Sequence, residues 1–227
     1  MNIPNHIVLF PDGNRRWAKQ KGMASLDGHL AGEKKFDDFL RWCKNKGVKI
    51  ITVFGFSTEN WNRAPEEVDY LMKLLEKYLG QGIDSFNKEG VKVKIIGQKE
   101  KLPESLKKVI EKVEDSTKNN NEFHLNLAVS YGGKWDILNA VKNILKEGIA
   151  PEKIDEGLID DYLSTAGLAN PDLIIRAGGE MRLSNFVLWQ AAYSELYFSQ
   201  KLWPDFTEQD LDAAIDEFDR RQRRFGK

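Results

Sequence analysis

Hydrophobic positions along the chain fall into two kinds of segment, which alternate from one end to the other. Short runs rich in β-branched and aromatic residues have the composition of buried strands, and turn-forming residues separate them. Longer runs repeat apolar residues every three or four positions, which is the spacing of one helix face. The predicted strands are HIVLF (6–10), KIITVFGF (49–56), VKVKIIG (91–97), FHLNLAV (123–129), DLIIRA (172–177) and ELYF (195–198).

Helices are predicted between these strands. The clearest pattern covers residues 65–86, where Pro65 suits a first-turn position and an apolar stripe follows. Near the end of the chain, Thr207 is a good N-cap residue for a helix that continues to residue 221. Further helices are predicted at 30–46, 104–118 and 134–147.

Alternation of strands and helices predicts an α/β fold, with a mostly parallel central sheet of about six strands flanked by helices. Residues 1–227 contain no repeat, linker or low-complexity stretch, so we expect one domain. Sheets of this kind bind ligands in the crevice beyond the carboxyl ends of their strands. The residues that follow each strand are therefore where chemistry is expected.

Four predicted strands run directly into polar stretches: PDGNRRW (11–17), STENWNR (57–63), SYGGKWD (130–136) and RAGGEMRLSN (176–185). Arginines offer planar, paired donors that suit phosphate, and glycines let backbone N–H groups approach an anion closely. A carboxylate among them suits Mg²⁺, which binds one or two carboxylates together with phosphate oxygens. The prediction is a site for one or more diphosphates, built from Asp12, Asn14, Arg16, Ser57, Glu59, Asn60, Arg63, Arg176, Arg182 and Ser184.

Each of these features also has a purely structural interpretation. Asp-Gly-Asn at 12–14 is a common turn sequence, and in a single sequence the turn is its more frequent meaning. Ser57 or Thr58 can cap a turn, the glycine pair at 178–179 can form a plain loop, and His29 can lie at a helix cap. The binding interpretation is favoured because four such stretches follow four strands.

Composition narrows the class of protein. The formal net charge is −1, so no overall basicity favours nucleic acid as a partner. Cys43 is the one cysteine, which excludes an internal disulfide and fits a reducing, cytoplasmic compartment. The first residues lack the features of a signal peptide, and the longest uncharged run, 183–194, is well short of the roughly 18 residues of a membrane-spanning helix. We expect any membrane contact to be peripheral.

Familiar nucleotide-binding fingerprints are absent from the sequence, but longer motifs are present in a distinctive order. These are HIVLFPDGNRRWA, GH at 28–29, FSTENWNR, LNLAVSYGGKWDI, PDLIIRAGGEMRLSNFVLWQAAYSELYF and LWPDF. Together they resemble the cis-prenyltransferase family, to which the undecaprenyl diphosphate synthases (isoprenyl transferases) belong. The resemblance implies a homodimeric, Mg²⁺-dependent enzyme that condenses isopentenyl diphosphate onto an allylic diphosphate such as farnesyl diphosphate.

The resemblance also implies a role for each matching residue. Asp12 would bind Mg²⁺ and assist ionisation of the allylic diphosphate, Glu195 would be a further Mg²⁺ ligand, and Asn60 would help to remove a proton. The allylic diphosphate would lie against Gly13, Asn14, Arg15 and Arg16, with Trp17 and His29 beside it. Further substrate contacts are implied for Ser57, Thr58, Glu59, Trp61 and Arg63. The diphosphate of isopentenyl diphosphate would contact Arg176, Arg182, Leu183 and Ser184.

Product length and subunit contacts are implied less directly. Members of the family hold the growing chain in an apolar tunnel beside the helix that matches 65–86, so the stripe there is either ordinary core or tunnel wall. Gly55 lies where long-chain synthases have a small residue, which favours a long product. Residues 224–226 resemble a C-terminal Arg-x-Gly motif that completes the site of the neighbouring subunit. The apolar stripe of the predicted helix 65–86 consists of Val68, Leu71, Met72, Leu75, Tyr78, Leu79, Ile83 and Phe86.

Three positions depart from the bacterial pattern of the family. Ser25 stands where many members have an arginine, Arg15 where a glycine is common, and Ala177 where threonine or serine is usual. Two other functions remain open at this point. One is a non-catalytic partner subunit, which usually loses the aspartate and the Asp-Gly-Asn loop, and the other is a Mg²⁺-dependent phosphatase.

Overall fold

A computed structural model describes residues 2–221 of the chain. Its strands are β1 (His6–Phe10), β2 (Ile50–Ser57), β3 (Val91–Ile96), β4 (Phe123–Tyr131), β5 (Leu173–Arg176) and β6 (Glu195–Phe198). They form one sheet in the order β3–β4–β2–β1–β5–β6, and each neighbouring pair is parallel. The α/β fold and its six-stranded sheet are confirmed.

Seven α-helices lie within residues 2–221, and none of these helices is both long and apolar enough to cross a membrane. They are α1 (Asn14–Gln20), α2 (Ser25–Asn45), α3 (Pro65–Lys88), α4 (Glu104–Thr117), α5 (Gly133–Lys146), α6 (Glu156–Tyr162) and α7 (Glu208–Arg220). Short 3-10 turns also occur at Thr58–Asn62, Lys99–Lys101, Pro151–Lys153 and Trp203–Asp205.

Three helices differ from the sequence prediction, and one of them, α1, was not among the predicted helices. Helix α2 begins at Ser25, not at residue 30, because the Asp27 carboxylate accepts the Ala24 N–H (3.1 Å) and satisfies a backbone donor at the new start. His29 therefore lies inside α2 and does not precede it. Helix α6 was not predicted, since seven residues are too few to show a period; Asp155 caps it by accepting the Leu158 N–H at 2.8 Å.

Apolar side chains cover both faces of the sheet. Successive residues of a strand point to opposite sides, so Ile7 and Leu9 of β1 join the larger cluster with residues of α2, α3, α4 and α7. Val8 and Phe10 join a smaller cluster on the other side, around Phe186. Burial on both faces explains why the strand sequences are nearly continuous apolar runs.

Two local features shape the carboxyl-terminal edge of the sheet. The pairing of β2 with β4 shifts register at Gly55, and such an irregularity bends the strand as it leaves the sheet. Helices α1 and α2 also approach very closely, because Gly28 and Gly32 both face Asn14. A Cβ atom added at Gly28 would lie 2.1 Å from the Asn14 carbonyl oxygen. Both features hold the polar stretches after β1 and β2 in place.

A row of buried polar side chains crosses the sheet in the amino-terminal half of its strands. The His6 ring contacts the Ala169 carbonyl oxygen through Nδ1 (2.7 Å) and the Thr52 hydroxyl through Nε2 (2.8 Å), and Asn126 donates to the same hydroxyl at 3.1 Å. Burial lowers the pKa of His6 from 6.5 to about 4, against the opposing effect of the Ala169 carbonyl. The ring is therefore neutral in the folded protein at neutral pH.

We expect this histidine to make stability depend on pH. The folded pKa lies below the unfolded one, so the unfolded chain binds more protons between pH 6.5 and about 4, and stability falls as the pH falls through this range. The loss should reach about 3 kcal/mol. Urea unfolding at pH 7 and pH 4.5 should show a smaller pH effect for His6→Gln than for the wild type. A His124→Gln control, on a less buried ring, should resemble the wild type, and equal slopes for His6→Gln and wild type would contradict this account.

Candidate active site at the carboxyl ends of the strands

A cleft of about 1140 Å³ lies beyond the carboxyl ends of the strands. Residues from three of the four polar stretches line it, together with others from α1, α2 and α3. Most of the predicted site residues are brought together there. They are Asp12, Gly13, Asn14, Arg15, Arg16, His29, Ser57, Glu59, Asn60, Arg63, Arg176 and Ser184.

Arg176 is the most buried charged residue in this cleft, with 4% of its surface exposed. Its Nη2 donates to Asp12 Oδ2 at 2.8 Å, and its Nη1 donates to Ser184 Oγ at 2.9 Å and to the Arg182 carbonyl oxygen. The guanidinium carbon also lies 5.0 Å from the centre of the Phe10 ring. Because a buried charge is costly unless it is paired, these contacts determine where Arg176 can point.

A second arginine approaches the same carboxylate. Arg16 Nη2 lies 3.5 Å from Asp12 Oδ1, and its Nη1 lies 3.3 Å from Glu180 Oε1. The loop that carries Gly178 passes so close that an added Cβ would lie 2.7 Å from Arg16 Nη2, and its φ of +92° is one that glycine adopts readily. The glycine pair is therefore a close-approach loop beside the charged groups.

Glu67, in the first turn of α3, contacts two arginines and a histidine. Arg63 Nη1 donates to its Oε1 at 3.0 Å, His29 Nε2 lies 3.4 Å from the same atom, and Arg15 Nη1 lies 3.8 Å from Oε2. Burial lowers the pKa of His29, partly offset by its hydrogen bond to Glu67. The sequence analysis missed Glu67 because residues 65–86 were considered only for their apolar stripe.

The segment after β2 holds its own shape through side chains. Asn60 Oδ1 accepts the Ser57 N–H at 3.1 Å, which caps the 3-10 turn. Trp61 donates to Ser130 Oγ at 2.9 Å and packs edge-on against Phe56 with centroids 5.0 Å apart. Trp61 thus anchors this segment without lining the cleft, whereas Asn60 lies on the cleft surface.

Other predicted site residues lie outside the lining of the cleft. Trp17 donates to Asp205 Oδ1 at 2.7 Å and does not line the cleft. Arg182 contributes its carbonyl oxygen to Arg176, while its own guanidinium pairs with Glu180. The structure also leaves Thr58 and Leu183 out of the lining, although both flank residues within it.

Glu195 lies at the amino end of β6, opposite the edge that carries Asp12. Its carboxylate accepts a hydrogen bond from Arg221 Nη1 at 2.8 Å. Within this chain the structure does not bring Glu195 and Asp12 together, so its assignment as a Mg²⁺ ligand stays a prediction. The Arg-x-Gly motif at 224–226 lies outside the described residues.

The donor chemistry around Asp12 fits a hard divalent cation. Residues 2–221 contain no group of three or more His, Cys, Asp or Glu side chains that could hold a metal ion. The Asp12 side chain is 36% exposed and opens into the cleft. Since Mg²⁺ binds through one or two carboxylates plus substrate phosphates, Asp12 could hold it when a diphosphate supplies the remaining oxygens.

An apolar cavity of about 160 Å³ adjoins the cleft. It lies between α2, α3 and the sheet, and its wall includes Leu71, Met72, Leu75 and Tyr78 from the predicted stripe. Met72 and Leu79 of the same stripe also belong to the main hydrophobic core. The stripe therefore contributes both to the core and to the wall of the cavity, with Met72 in both, and its role as a tunnel wall stays a prediction.

Comparison with known proteins identifies the family of the chain. Residues 10–226 match the family model described as "Putative undecaprenyl diphosphate synthase". The chain belongs to this prenyltransferase family. Its enzymes transfer prenyl groups, so the expected family and class of enzyme are confirmed.

Proteins named for prenyl transfer or for different prenyl products each resemble this chain over 99% of its length. An isoprenyl transferase of Fusobacterium nucleatum is 47% identical over 99% of this chain and 96% of its own. A chloroplastic (2Z,6Z)-farnesyl diphosphate synthase of Solanum lycopersicum is 48% identical over 99% of this chain and 79% of its own. The structure of lavandulyl diphosphate synthase from Lavandula x intermedia in complex with dimethylallyl diphosphate has a TM-score of 0.95 and 37% identity, over 99% of both chains.

We expect Gly178→Ala to weaken anion binding as well as stability. Its positive φ should cost about 1–2 kcal/mol of unfolding free energy, and the new Cβ should displace Arg16. Gly148→Ala is the matched control, because Gly148 has a φ of +68° and no atom near its Cβ position. Calorimetric titration with pyrophosphate should therefore detect weaker binding only for Gly178→Ala. Equal affinities in the two variants would contradict a role for this close approach.

Proposed function

We propose that the chain is a Mg²⁺-dependent cis-prenyltransferase that condenses isopentenyl diphosphate onto an allylic diphosphate, such as farnesyl diphosphate. The proposal rests on one observation: a cleft rich in arginine adjoins an apolar cavity. A diphosphate and its prenyl chain need these two environments side by side. The residues that line both are Pro11, Asn14, His29, Gly55 and Leu71.

The group around Arg176 is suited to the diphosphate of isopentenyl diphosphate. Ser184 and the Arg182 carbonyl already hold the guanidinium, so it needs little reorganisation when an anion arrives. Arg182 and Arg16 bring further positive charge to the same loop. Two diphosphates held on this edge would place the double bond of one substrate beside the allylic carbon of the other.

The group around Asp12 is suited to the allylic diphosphate, with Gly13, Asn14, Arg15 and Arg16 following it in the chain. When this diphosphate leaves, negative charge develops on it, and nearby arginines stabilise that charge more in the transition state than in the ground state. Bound Mg²⁺ would neutralise part of the same charge. The double bond of isopentenyl diphosphate then forms the new carbon–carbon bond, and the product loses one proton.

Asn60 is proposed to act in this last step by orientation. An amide does not accept a proton at neutral pH, and Asn60 Oδ1 already accepts the Ser57 N–H. Its remaining donor, on the cleft surface, can instead orient a diphosphate oxygen that takes the proton. The long product stays a prediction from Gly55, which lines both the cleft and the cavity.

Chain elongation tests the proposed reaction. Purified protein, labelled isopentenyl diphosphate and farnesyl, geranyl or geranylgeranyl diphosphate should give longer products with Mg²⁺ and none with a chelator. Release of phosphate from farnesyl diphosphate alone would favour a phosphatase, and no elongation with any starter would leave a non-catalytic subunit as the better account. Retention of Asp12 and the Asp-Gly-Asn loop argues against that last outcome.

Asp12→Asn is the sharpest variant for this assay. The amide oxygen can still accept from Arg176, so we expect a smaller loss of thermal stability than for Asp12→Ala, while the loss of charge should lower kcat by about 100-fold or more. A merely structural Asp12 would leave kcat near the wild-type value in this variant. Asp12→Ala should lose activity as well, and it should also lower the melting temperature, because the buried Arg176 guanidinium loses its carboxylate partner.

A homodimer is the proposed assembly, supported by an exposed apolar face on α5. Leu138 and Leu145 are 59% and 66% exposed, and Val141 lies between them on the same side of the helix. Sedimentation analysis should give a dimer for the wild type and a shift toward monomer for Leu145→Lys. A monomeric wild type at micromolar concentration would contradict this proposal.

A further inference from the structure

Asn185 joins three of the four polar stretches, although it was not among the predicted site residues. Its Nδ2 donates to Glu59 Oε1 at 2.9 Å, in the stretch after β2. Its Oδ1 accepts the Lys134 N–H at 2.9 Å, and its carbonyl oxygen accepts the Gly133 N–H, both at the start of α5. Asn185 also lines the cleft itself.

The backbone at this point is unusual. Ser184 and Asn185 have φ angles of +44° and +64°, so two successive non-glycine residues lie in the left-handed region. Asparagine is among the few residues that tolerate this conformation. Ser184 is the residue whose hydroxyl accepts from Arg176, so the contacts of Asn185 hold the neighbour that positions the buried guanidinium.

Only one orientation of the Asn185 amide satisfies both of its partners. The Lys134 N–H requires an acceptor, and the Glu59 carboxylate requires a donor. Burial alone would raise the pKa of Glu59, but the hydrogen bonds from Asn185 and the adjacent backbone outweigh it, and the pKa is lowered. Space is limited as well, since a Cβ on Gly132 would lie 2.8 Å from Asn185 Nδ2.

We propose that Asn185 is a positioning residue for prenyl transfer, which holds Ser184 and Arg176 at a set distance from the stretch that carries Glu59. This inference rests on the proposed function, because it assigns the diphosphate of isopentenyl diphosphate to the Arg176 group. Asn185 does not itself take part in the chemistry. It links the loop that carries Ser184 to the stretch after β2, so that the diphosphate at Arg176 is bound in a fixed relation to that side of the cleft.

The test reverses the hydrogen bond between residues 185 and 59. Asn185→Asp removes the donor and sets two carboxylates against each other at hydrogen-bond distance, while the bond from Lys134 N can remain. Glu59→Gln in the same chain restores a donor to this pair, now from the other side. The four proteins of the double-mutant cycle are the wild type, each single variant and Asn185→Asp/Glu59→Gln.

Steady-state kinetics are measured with farnesyl diphosphate saturating and isopentenyl diphosphate varied. Asn185→Asp should raise KM for isopentenyl diphosphate by about tenfold or more above the wild-type value. When the double variant is compared with Glu59→Gln alone, the rise in this KM should be much smaller. These measurements require a wild type that elongates farnesyl diphosphate. A wild type without this activity would overturn the proposed function and not this inference. Thermal melts of all four proteins show whether lost folding explains a lost rate.

Additive losses in the double variant, or a KM for Asn185→Asp within twofold of the wild type, would overturn the proposal. If Asn185→Asp fails to fold, Asn185→Gly replaces it, because glycine keeps the left-handed backbone and removes only the side-chain bonds. That variant should raise KM for isopentenyl diphosphate, with a smaller effect on KM for farnesyl diphosphate. A general decline in kcat with both KM values unchanged would assign Asn185 to stability alone.

Discussion

The buried guanidinium of Arg176 is the group on which the geometry of this site depends. Pairing of β1 with β5 sets Phe10 opposite Arg176, and the chain after Phe10 leads within two residues to Asp12. The sheet register therefore brings the carboxylate and the guanidinium together before any ligand binds. Because leaving a buried arginine unpaired is costly, the partners of Arg176 are part of both the fold and the site.

The binding chemistry of the site follows from the arginines that surround the Asp12–Arg176 pair. Asp12 is shared by Arg176 and Arg16, and Glu67 is shared by Arg15, Arg63 and His29. Each carboxylate contacts two arginines, so neither neutralises all of the positive charge beside it. A site with this arrangement is suited to anions, and the adjoining apolar cavity is suited to a hydrocarbon chain attached to the anion.

The sequence predicted this architecture well where the signal was local. Strands β1 and β6 have the predicted bounds, and the rule that ligands bind at strand ends located most of the cleft. Glu67 and Asn185 were missed because their importance comes from contacts between segments far apart in the chain. The family resemblance supplied Glu195, but parallel pairing places it at the other edge of the sheet from Asp12.

The most direct measurement is a crystal structure with Mg²⁺, isopentenyl diphosphate and an unreactive thio analogue of farnesyl diphosphate. We expect one diphosphate against Arg176 and Ser184, the other against residues 13–16, and the metal between Asp12 and phosphate oxygens. The farnesyl chain should enter the cavity between α2 and α3. Diphosphates bound away from Asp12 and Arg176, or a prenyl chain directed into solvent, would contradict the account.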